Sequence, residues 1–351
     1  MRIGILGAGV IGQLRARSVH QHPATTLVAV YDPVSAAAER AVTGTEATAV
    51  TDVAAFLDLE LDAVFVSSPI QFHEEACLAA LARGRHVLCE KPLSNSVESC
   101  RRIVDAAEKA GRILAVGFNH RFYPAIKFVK DTVDQGVIGD LDHIRVFGGH
   151  DGLNNFRADW QYRSPTSGGG AMMDVGIHMT DIARYLLGEI TDVYGMMSER
   201  IWKVAGSEDN AIAVFRNPEG ISASYHATWT EWKGYRFYVE AYGSLGMVRG
   251  YYAPMTNVLV THDQPGKPRK TKRLFYPEIM VREKLKSWTS TALLSFEAEL
   301  REFVAMTGGH VTGSLADGYA GLRAVEVAAA VRHSSLTREA VHLPILGRMK
   351  G

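Results

Sequence analysis

The sequence predicts an α/β protein: an N-terminal doubly wound parallel sheet, followed by an α+β domain with a large, open, mainly antiparallel sheet. Up to about residue 120, short apolar runs alternate with helical stretches, which is the element order of a parallel sheet covered by helices. Beyond that point longer strands follow one another, and the turn residues 217–220 join two of them as an antiparallel pair. The 351 residues are enough for two cores, so we predict domains at 1–120 and 121–351.

Composition indicates a soluble globular protein without a charged partner. Hydrophobic residues make up 47% of the chain, and 38 Lys and Arg balance 38 Asp and Glu, so we expect neither a nucleic acid nor a membrane surface as partner. No apolar stretch approaches the roughly 18 residues of a membrane span. Cys77, Cys89 and Cys100 have no metal-ligand spacing and are typical of reduced thiols, so we expect a cytoplasmic protein.

A glycine motif separates the first apolar run from the first helical stretch. The segment Gly7-Ala8-Gly9-Val10-Ile11-Gly12 has the spacing G-x-G-x-x-G in its required context, between a strand and a helix. Gly7 permits the tight turn, Gly9 lets the backbone approach a pyrophosphate, and Gly12 lets the helix pack on the strand. The helix N-terminus, at Val10 and Ile11, faces the anion. The motif therefore predicts a dinucleotide site in a Rossmann domain.

An acidic residue follows the second predicted strand, Leu27–Tyr31. Asp32 lies twenty residues beyond Gly12, where a carboxylate accepts hydrogen bonds from the adenosine ribose. It would repel a 2′-phosphate, and residues 33–36 include no arginine to hold one, so NAD is favoured over NADP. The alternative is a glycine-rich turn with an aspartate that caps the next helix.

A second group of polar residues follows the strand that contains Val87–Cys89. Pro92 cannot continue a sheet ladder, so Glu90 and Lys91 should lie at the carboxyl end of that strand, where open α/β sheets bind ligands. A partly desolvated lysine beside a cationic nicotinamide ring is usable as a proton donor or acceptor. The alternative is a solvated lysine at a strand end. Other strands deliver Ser67, Ser68 and Asn119 to the same edge.

The second domain has its own constellation. A glycine run at 168–170 leads to Asp174 and His178, which are four residues apart and should share a helix face, with Asp181 three further on. The group is compatible with an acid/base pair, with a metal site, or with a core histidine satisfied by a neighbour. A metal site would lack a clear third or fourth ligand nearby, so we expect no metal.

Taken together, these residues resemble the glucose-fructose oxidoreductase / inositol dehydrogenase (Gfo/Idh/MocA) family over essentially the whole chain. The matching marks are Gly7, Gly9 and Gly12, the Glu90-Lys91-Pro92 triplet, Gly117-Phe118-Asn119-His120-Arg121-Phe122, and the glycine run leading to Asp174 and His178. By that resemblance Lys91, Asp174 and His178 look like the family's catalytic triad. His178 would take the proton of a substrate hydroxyl, Lys91 would hydrogen-bond the reacting oxygen, and Asp174 would hold a substrate hydroxyl.

The resemblance extends to further residues. Ile70 departs from it, because the family commonly has a polar residue there. On the cofactor side it implies Ser67, Ser68, His73, Glu90, Lys91, Asn119, Trp160 and Arg163, and toward the substrate it implies Lys91, Arg121, Arg157, Tyr162, Asp174 and His178.

The expected activity is NAD-dependent oxidation of a secondary hydroxyl of a sugar, glycoside or cyclitol. Trp229 and Trp232 could stack on a sugar ring or simply pack between sheet and loop. Two other functions remain open: redox-neutral glycoside cleavage or epimerisation with retained NAD, and a non-catalytic sensor of nucleotide or sugar.

We also expect a homodimer or homotetramer formed through the C-terminal sheet, whose open face should expose apolar side chains. The candidates for that face are Ile212, Val214, Phe215, Tyr225 and Ala227.

Overall fold

This computed structural model describes residues 1–156, 158–265, 267–310 and 313–344. The chain divides into two compact units. Met1–Phe122 and Lys286–Leu322 form the first unit, and Tyr123–Leu285 with the described residues from Arg323 onward form the second. Arg157, which the sequence analysis proposed as a substrate contact, lies outside the described residues.

Strands and helices alternate in the first part of the chain and separate in the second. In the described residues no helix is both long and apolar enough to cross a membrane. The strands are β1 (Arg2–Leu6), β2 (Thr26–Tyr31), β3 (Thr48–Val50), β4 (Ala63–Val66), β5 (His86–Glu90), β6 (Leu114–Gly117), β7 (Leu141–Gly149), β8 (Asp192–Ser198), β9 (Asn210–Arg216), β10 (Ser222–Thr228), β11 (Arg236–Gly243), β12 (Gly246–Tyr252), β13 (Thr256–Thr261), β14 (Lys270–Phe275), β15 (Ala316–Asp317) and β16 (Val341–His342). The helices are α1 (Val10–Gln21), α2 (Ser35–Val42), α3 (Val53–Leu57), α4 (His73–Ala82), α5 (Val97–Ala110), α6 (Pro124–Asp134), α7 (Ser164–Ser167), α8 (Ile177–Leu187), α9 (Pro277–Lys286), α10 (Thr289–Thr307) and α11 (Gly318–Thr337).

The first unit is built on a parallel sheet with the order β15-β6-β5-β4-β1-β2-β3. Strands β1 to β6 pair in parallel, and the short β15 adds to β6 in the antiparallel sense. From β1, the strands β2 and β3 extend the sheet on one side and β4, β5 and β6 extend it on the other. The chain connections leave β1 in opposite directions, which creates a crevice at the strand ends where such sheets bind ligands. The predicted doubly wound parallel sheet is therefore confirmed.

Helix α10 packs with the first unit although it comes late in the chain. Leu300 and Phe303 are buried in the same core as Ile5 and Phe65, and the rings of Phe65 and Phe303 meet edge to face at 5.2 Å. The sequence analysis assigned this stretch to residues 121–351. The apolar face of α10 pairs with the first core because it covers the side of the sheet on which α1 lies.

The second unit is built on a sheet with the order β14-β13-β12-β11-β7-β10-β9-β8-β16. Among the described strand pairs of this sheet, β7 and β10 are parallel and the others are antiparallel, so the predicted mainly antiparallel sheet is confirmed. The predicted hairpin of β9 and β10 is also present: Asn217 donates to Ile221 through its main chain in the connecting turn, and Asn217 Oδ1 accepts from Ile221 N.

One strand is shorter than its sequence pattern suggested. A strand was expected over Val193–Trp202, but β8 ends at Ser198. The main-chain N–H groups of Ile201 and Trp202 donate to the carboxylate of Asp209 instead of to a neighbouring strand, so this stretch is a loop. The strand ends at the polar residues Ser198, Glu199 and Arg200, and a side-chain acceptor takes the main-chain donors that follow.

The open face of the second sheet differs from the expected one in three residues. Ile212 and Val214 on β9 are exposed at 57% and 54%, as expected, but Phe215, Tyr225 and Ala227 are buried. Successive side chains of a strand point to opposite faces, so Phe215 cannot share a face with Val214. Tyr194 and Met196 of β8 stand opposite Val214 and Ile212 and complete the exposed apolar group.

Candidate active site

The glycine motif forms a tight turn between β1 and α1 in the first unit. Gly7 has φ +103°, and a Cβ there would lie 2.7 Å from the main chain of Ser67. A Cβ on Gly12 would overlap the carbonyl oxygen of Gly7. In contrast, a Cβ on Gly9 would meet no described atom within 4 Å. Two of the glycines are therefore required by backbone packing, while Gly9 borders open space.

That open space has the features that a dinucleotide phosphate requires. No side chain of the described chain caps the N-terminus of α1, so the donors of its first turn, at Val10 and Ile11, remain available to an anion. The hydroxyl groups of Ser67 and Ser68, at the end of β4, are buried without a hydrogen-bond partner in the described residues. These donors fit the phosphates and hydroxyls of a bound NAD.

Asp32 lies at the end of β2, beside the glycine turn. Its Oδ2 accepts from the main-chain N–H of Ala8 at 2.8 Å, and its Oδ1 accepts from Val34 N at 2.9 Å. Two backbone donors fix the carboxylate at the edge of the turn. Each oxygen retains a second lone pair, which is what a ribose hydroxyl needs.

His73 ties together two of the loops at the strand ends. Its Nε2 lies 2.9 Å from Ser68 O and its Nδ1 lies 3.0 Å from Pro92 O. Burial lowers the pKa of this imidazole, although the two carbonyl groups act in the opposite direction. His73 therefore connects the loop after β4 to the loop after β5, which contains Lys91.

Glu90 forms part of a buried ionic cluster. Arg15 of α1 donates from Nε to Glu90 Oε1 at 2.7 Å, and a second nitrogen of the guanidinium lies 2.5 Å from Glu299 of α10. The side chains of Arg15 and Glu299 are 1% and 0% exposed. A Cβ on Gly117 would lie 2.8 Å from Glu90 Oε2 and 2.9 Å from Arg15, so a glycine at that position leaves room for the pair.

Burial and nearby charges shift the pKa values of two groups around this cluster. Burial raises the pKa of Glu299 to about 7, with Glu90 acting in the same direction and Arg15 and Arg121 opposing it. Burial, together with the positive charge of Lys91, lowers the pKa of His120 to about 3. At neutral pH His120 is therefore a neutral imidazole in the field of the Lys91 ammonium group.

The segment after β6 contains two further predicted site residues. Asn119 donates from its side-chain amide to Ser295 Oγ at 2.8 Å, and Arg121 donates to the carbonyl oxygen of Ser314 at 3.3 Å. Both side chains are largely buried. Within the first unit they hold the strand-end segment against α10 and the residues that follow it.

Asp174 is the centre of the polar group in the second unit. His150 Nε2 lies 2.6 Å from Asp174 Oδ2, and the indole Nε1–H of Trp229 donates to the same oxygen at 3.1 Å. Gly152 N donates to His150 Nδ1 at 3.0 Å, so Nδ1 is an acceptor and Nε2 carries the ring N–H. His150 therefore donates to Asp174 and fixes the orientation of the carboxylate.

The glycine run positions Asp174 through the chain segment that precedes it. Gly170 N and Met172 N donate to the carboxylate of the buried Glu208, and Ala171 N donates to the Glu208 carbonyl oxygen. A Cβ on Gly170 would overlap the main chain of Glu208. The run therefore lets two backbone segments touch, and the π-helical turn Met172–Gly176 begins from that fixed point.

His178 lies in the first turn of α8 and is 6% exposed. Asp174 precedes it in the π-helical turn, so the two residues do not lie on one regular helix as the sequence pattern suggested. Among the described residues, no group of three or more His, Cys, Asp or Glu is arranged to hold a metal ion. The polar atoms around Asp174 are therefore organised by hydrogen bonds within the protein.

Trp160, Tyr162 and Arg163 lie in the segment before the glycine run. Tyr162 OH and Arg163 both bond to the carboxylate of Asp159, the latter at 2.7 Å, and the Trp160 carbonyl oxygen accepts from Thr166. Hydrogen bonding from Tyr162 lowers the pKa of Asp159. In the described structure this segment is thus a local network centred on Asp159.

Three residues that organise these groups were not predicted from the sequence: Arg15, His150 and Glu299. Arg15 sits at a helix position that the pattern of α1 leaves open to either face. Glu299 is one of four charged residues of α10, with Glu297, Arg301 and Glu302, and no sequence signal distinguishes it from these neighbours. His150 directly follows a strand, which is the position at which polar residues are most informative.

Comparison with known proteins gives consistent matches over both parts of the chain. Residues 1–118 match the family model described as "Oxidoreductase family, NAD-binding Rossmann fold", and residues 126–249 match the "GFO/IDH/MocA C-terminal domain". An inositol 2-dehydrogenase of Rhizobium meliloti is 31% identical over 71% of this chain and 74% of its own length. A myo-inositol 2-dehydrogenase of Thermotoga maritima is 30% identical over 75% of this chain and 79% of its own length.

Solved structures show the same fold. A levoglucosan dehydrogenase in complex with NADH superposes with a TM-score of 0.86 at 22% identity, over 99% of this chain and all of that chain. At this identity the likeness establishes the architecture.

Proposed function

We propose, from the premise that the chain belongs to the GFO/IDH/MocA family of NAD-binding oxidoreductases, that it oxidises a secondary hydroxyl group of a sugar, glycoside or cyclitol. The observation that carries the proposal is the arrangement of Asp174. Its carboxylate is held by His150 and Trp229, which directly follow strands β7 and β10. A fixed carboxylate of this kind is suited to grip a hydroxyl group. The names of the relatives, which are inositol dehydrogenases, support this substrate class.

In this proposal His178 is the general base. The reaction converts a secondary alcohol to a ketone. The hydroxyl group therefore loses a proton from its oxygen while the carbon that bears it loses a hydride. NAD, when bound, accepts the hydride. His178 takes the hydroxyl proton on its imidazole, and its burial beside the apolar residues of α8 limits exchange of that proton with water.

Lys91 and Asp174 have complementary roles. Lys91 donates a hydrogen bond to the reacting oxygen and stabilises the negative charge that develops there as the proton leaves. Its place beside the buried neutral His120, at the end of β5, supports a low-dielectric setting for that charge. Asp174 accepts a hydrogen bond from a neighbouring substrate hydroxyl and thereby orients the ring.

His150 and Trp229 are positioning residues. They act on the substrate through Asp174, because both donate to its Oδ2 and so hold the other carboxylate oxygen at a constant angle. Trp229 is fully buried, which leaves it no face for a sugar. The packing alternative for this tryptophan is therefore the better supported one.

The test is oxidation of a panel of pyranoses, methyl glycosides and cyclitols with NAD, followed by the absorbance of reduced nicotinamide. We expect accumulation with the native chain and a loss of at least 100-fold in Lys91→Ala and His178→Ala, while NAD still binds. Binding of NAD without any reduction, and without oxidation of NADH by the corresponding ketones, would reject the proposal. Conversion of a glycoside without net change in NADH would indicate the redox-neutral alternative.

We also propose that the open face of the second sheet forms a subunit contact. Tyr194, Met196, Ile212 and Val214 form a contiguous exposed apolar group on β8 and β9. We expect light scattering to give a mass of two or four chains of 38.4 kDa, and Ile212→Asp to reduce it. Leu336→Asp, at another exposed leucine, is the control and should not change the mass. A native mass of one chain would reject the contact.

A further inference from the structure

Two tryptophans of the second unit, the exposed Trp232 and the half-buried Trp202, form a pair that the proposed reaction does not use. The rings of Trp202 and Trp232 are 6.1 Å apart with a tilt of 51°, and Trp232 is 63% exposed. We call Trp202 and Trp232 the tryptophan platform. Tryptophan is enriched at binding surfaces, where its large ring supplies contact area.

Hydrogen bonds fix the indole of Trp202 and the main-chain turn that carries Trp232. Trp202 donates from its indole nitrogen to the Trp229 carbonyl oxygen at 3.0 Å, and its main-chain N–H donates to the buried carboxylate of Asp209. The indole rests on Gly152, which has φ +70° and where any Cβ would overlap the ring. The orientation of Trp202 is therefore fixed before any ligand arrives.

Trp232 is held by a tight turn. Glu231 N donates to His150 O at 3.0 Å, Gly234 N donates to Glu231 O at 3.0 Å, and Gly234 has φ +87°. The Glu231 carboxylate lies 3.6 Å from Arg236. The turn thus carries the paired acid Glu231 directly before Trp232, and a carboxylate and a guanidinium can hydrogen-bond sugar hydroxyls.

The platform is continuous with the Asp174 group. Strand β10 is parallel to β7 and antiparallel to β9, and β8 is antiparallel to β9, so β7, β8 and β10 run in one direction. Their carboxyl ends, which lead to His150, Trp202 and Trp232, therefore lie at the same end of the sheet. Trp229 joins the two groups directly, since its indole donates to Asp174 and its carbonyl oxygen accepts from Trp202.

From this geometry we propose that the tryptophan platform binds a second, non-reacting sugar ring, so that the substrate is a disaccharide or larger glycoside and not a free cyclitol. The proposal rests on the proposed function of the same unit. The axial C–H face of a pyranose packs on an indole, and its edge hydroxyls meet Glu231 and Arg236. The ring attached to it then reaches the carboxylate of Asp174.

The test compares one-ring and two-ring probes. Methyl β-D-glucopyranoside, myo-inositol, cellobiose, maltose and lactose are assayed with NAD for the native chain and for Trp232→Ala. We expect the preferred two-ring compound to exceed the one-ring compounds in kcat/KM by about tenfold or more, and Trp232→Ala to abolish that advantage while leaving one-ring turnover within about twofold. Trp288→Ala, at an exposed tryptophan of the first unit, is the matched control and should change neither value.

The outcomes separate this inference from the proposed function. Turnover of one-ring compounds with no two-ring advantage, or with an advantage that Trp232→Ala keeps, overturns the platform and leaves the dehydrogenase standing. If no sugar is oxidised, the proposed dehydrogenase function fails, and calorimetric titration of the NADH-loaded chain with cellobiose, maltose and lactose then tests sugar binding at the platform. Binding that Trp232→Ala weakens at least fivefold supports the platform. Absent binding, or binding that Trp232→Ala leaves unchanged, overturns it. A lower oligomer mass of Trp232→Ala in light scattering makes the platform a subunit contact and also overturns it.

Discussion

Arg15 and Glu299 form an ion pair at 2.5 Å with both side chains removed from water, in the core that also holds the Glu90 carboxylate. Arg15 comes from the helix that opens the dinucleotide site, and Glu299 comes from α10, almost three hundred residues later. The guanidinium also stacks on the ring of Phe296, at 3.8 Å from its centroid. One buried cation thus links the cofactor helix, the strand end before Lys91 and a helix from the far end of the chain.

Removal of this cation should destabilise the first unit strongly. Arg15→Met leaves the carboxyl groups of Glu90 and Glu299 without their counter-ion, and above the pKa of Glu299, where that group is ionised, we expect the free energy of unfolding to fall by about 3–5 kcal/mol. Urea denaturation without NAD measures the change. The control is Arg2→Met, because Arg2 pairs with Glu60 at the surface and its loss should cost less than about 1 kcal/mol. Equal effects of the two substitutions would contradict a buried ionic cluster.

Glu299 should make stability depend on pH. Its pKa rises from 4.5 to about 7 on folding, so between these values the folded chain holds more protons than the unfolded chain. The contribution of Glu299 to the free energy of unfolding is therefore complete below pH about 4.5 and is lost as pH rises through about 7. Glu299→Gln removes this contribution, so the stability difference between native and variant chains should decline across that window. Parallel curves from pH 4.5 to 8 would contradict the shift.

His150 should matter for catalysis through Asp174. In His150→Phe the Asp174 carboxylate loses a donor, and a hydrogen bond to a charged group contributes about 1.5–3 kcal/mol, so kcat/KM should fall by about 10- to 150-fold. His150→Gln, which retains a donor, should recover part of the loss. The control is His143→Phe on β7, the strand that precedes His150, where the imidazole contacts Asp142 and stacks on Tyr242. An unchanged kcat/KM in His150→Phe would remove His150 from the mechanism.

Asp32 should set the cofactor preference. Asp32→Ala removes the negative charge beside the glycine turn, so we expect weaker binding of NAD and a smaller preference for NAD over NADP, measured by fluorescence titration of both reduced cofactors. Asp52→Ala serves as the control, because Asp52 caps α3 through a bond from Ala55 N at 2.7 Å. That variant should lose stability alone. An unchanged ratio of the two affinities in Asp32→Ala would contradict the assignment.

Local pattern was sufficient for much of the fold. The spacing of Gly7, Gly9 and Gly12 predicted the strand, turn and helix that the structure contains, because the backbone of the turn requires a glycine at Gly7 and Gly12, while Gly9 leaves the space beside the turn open. The parallel sheet, the antiparallel hairpin of β9 and β10, the family and the NAD cofactor followed from the same kind of local or ordered signal. Strands β12 to β14 were not predicted, because their apolar and charged residues mix without a clear period.

The sequence by itself determined the two sheets, the cofactor turn and the candidate residues Lys91, Asp174 and His178. Only the tertiary structure decided which groups touch: that His150 donates to Asp174, and that Arg15 meets Glu90 and Glu299. The physical reason is that periodicity specifies which face of an element is buried but not its partner. The partner depends on strand register and helix packing between segments that are 24 to 284 residues apart. A buried charge is stabilised only where that packing brings its counter-charge within hydrogen-bond distance.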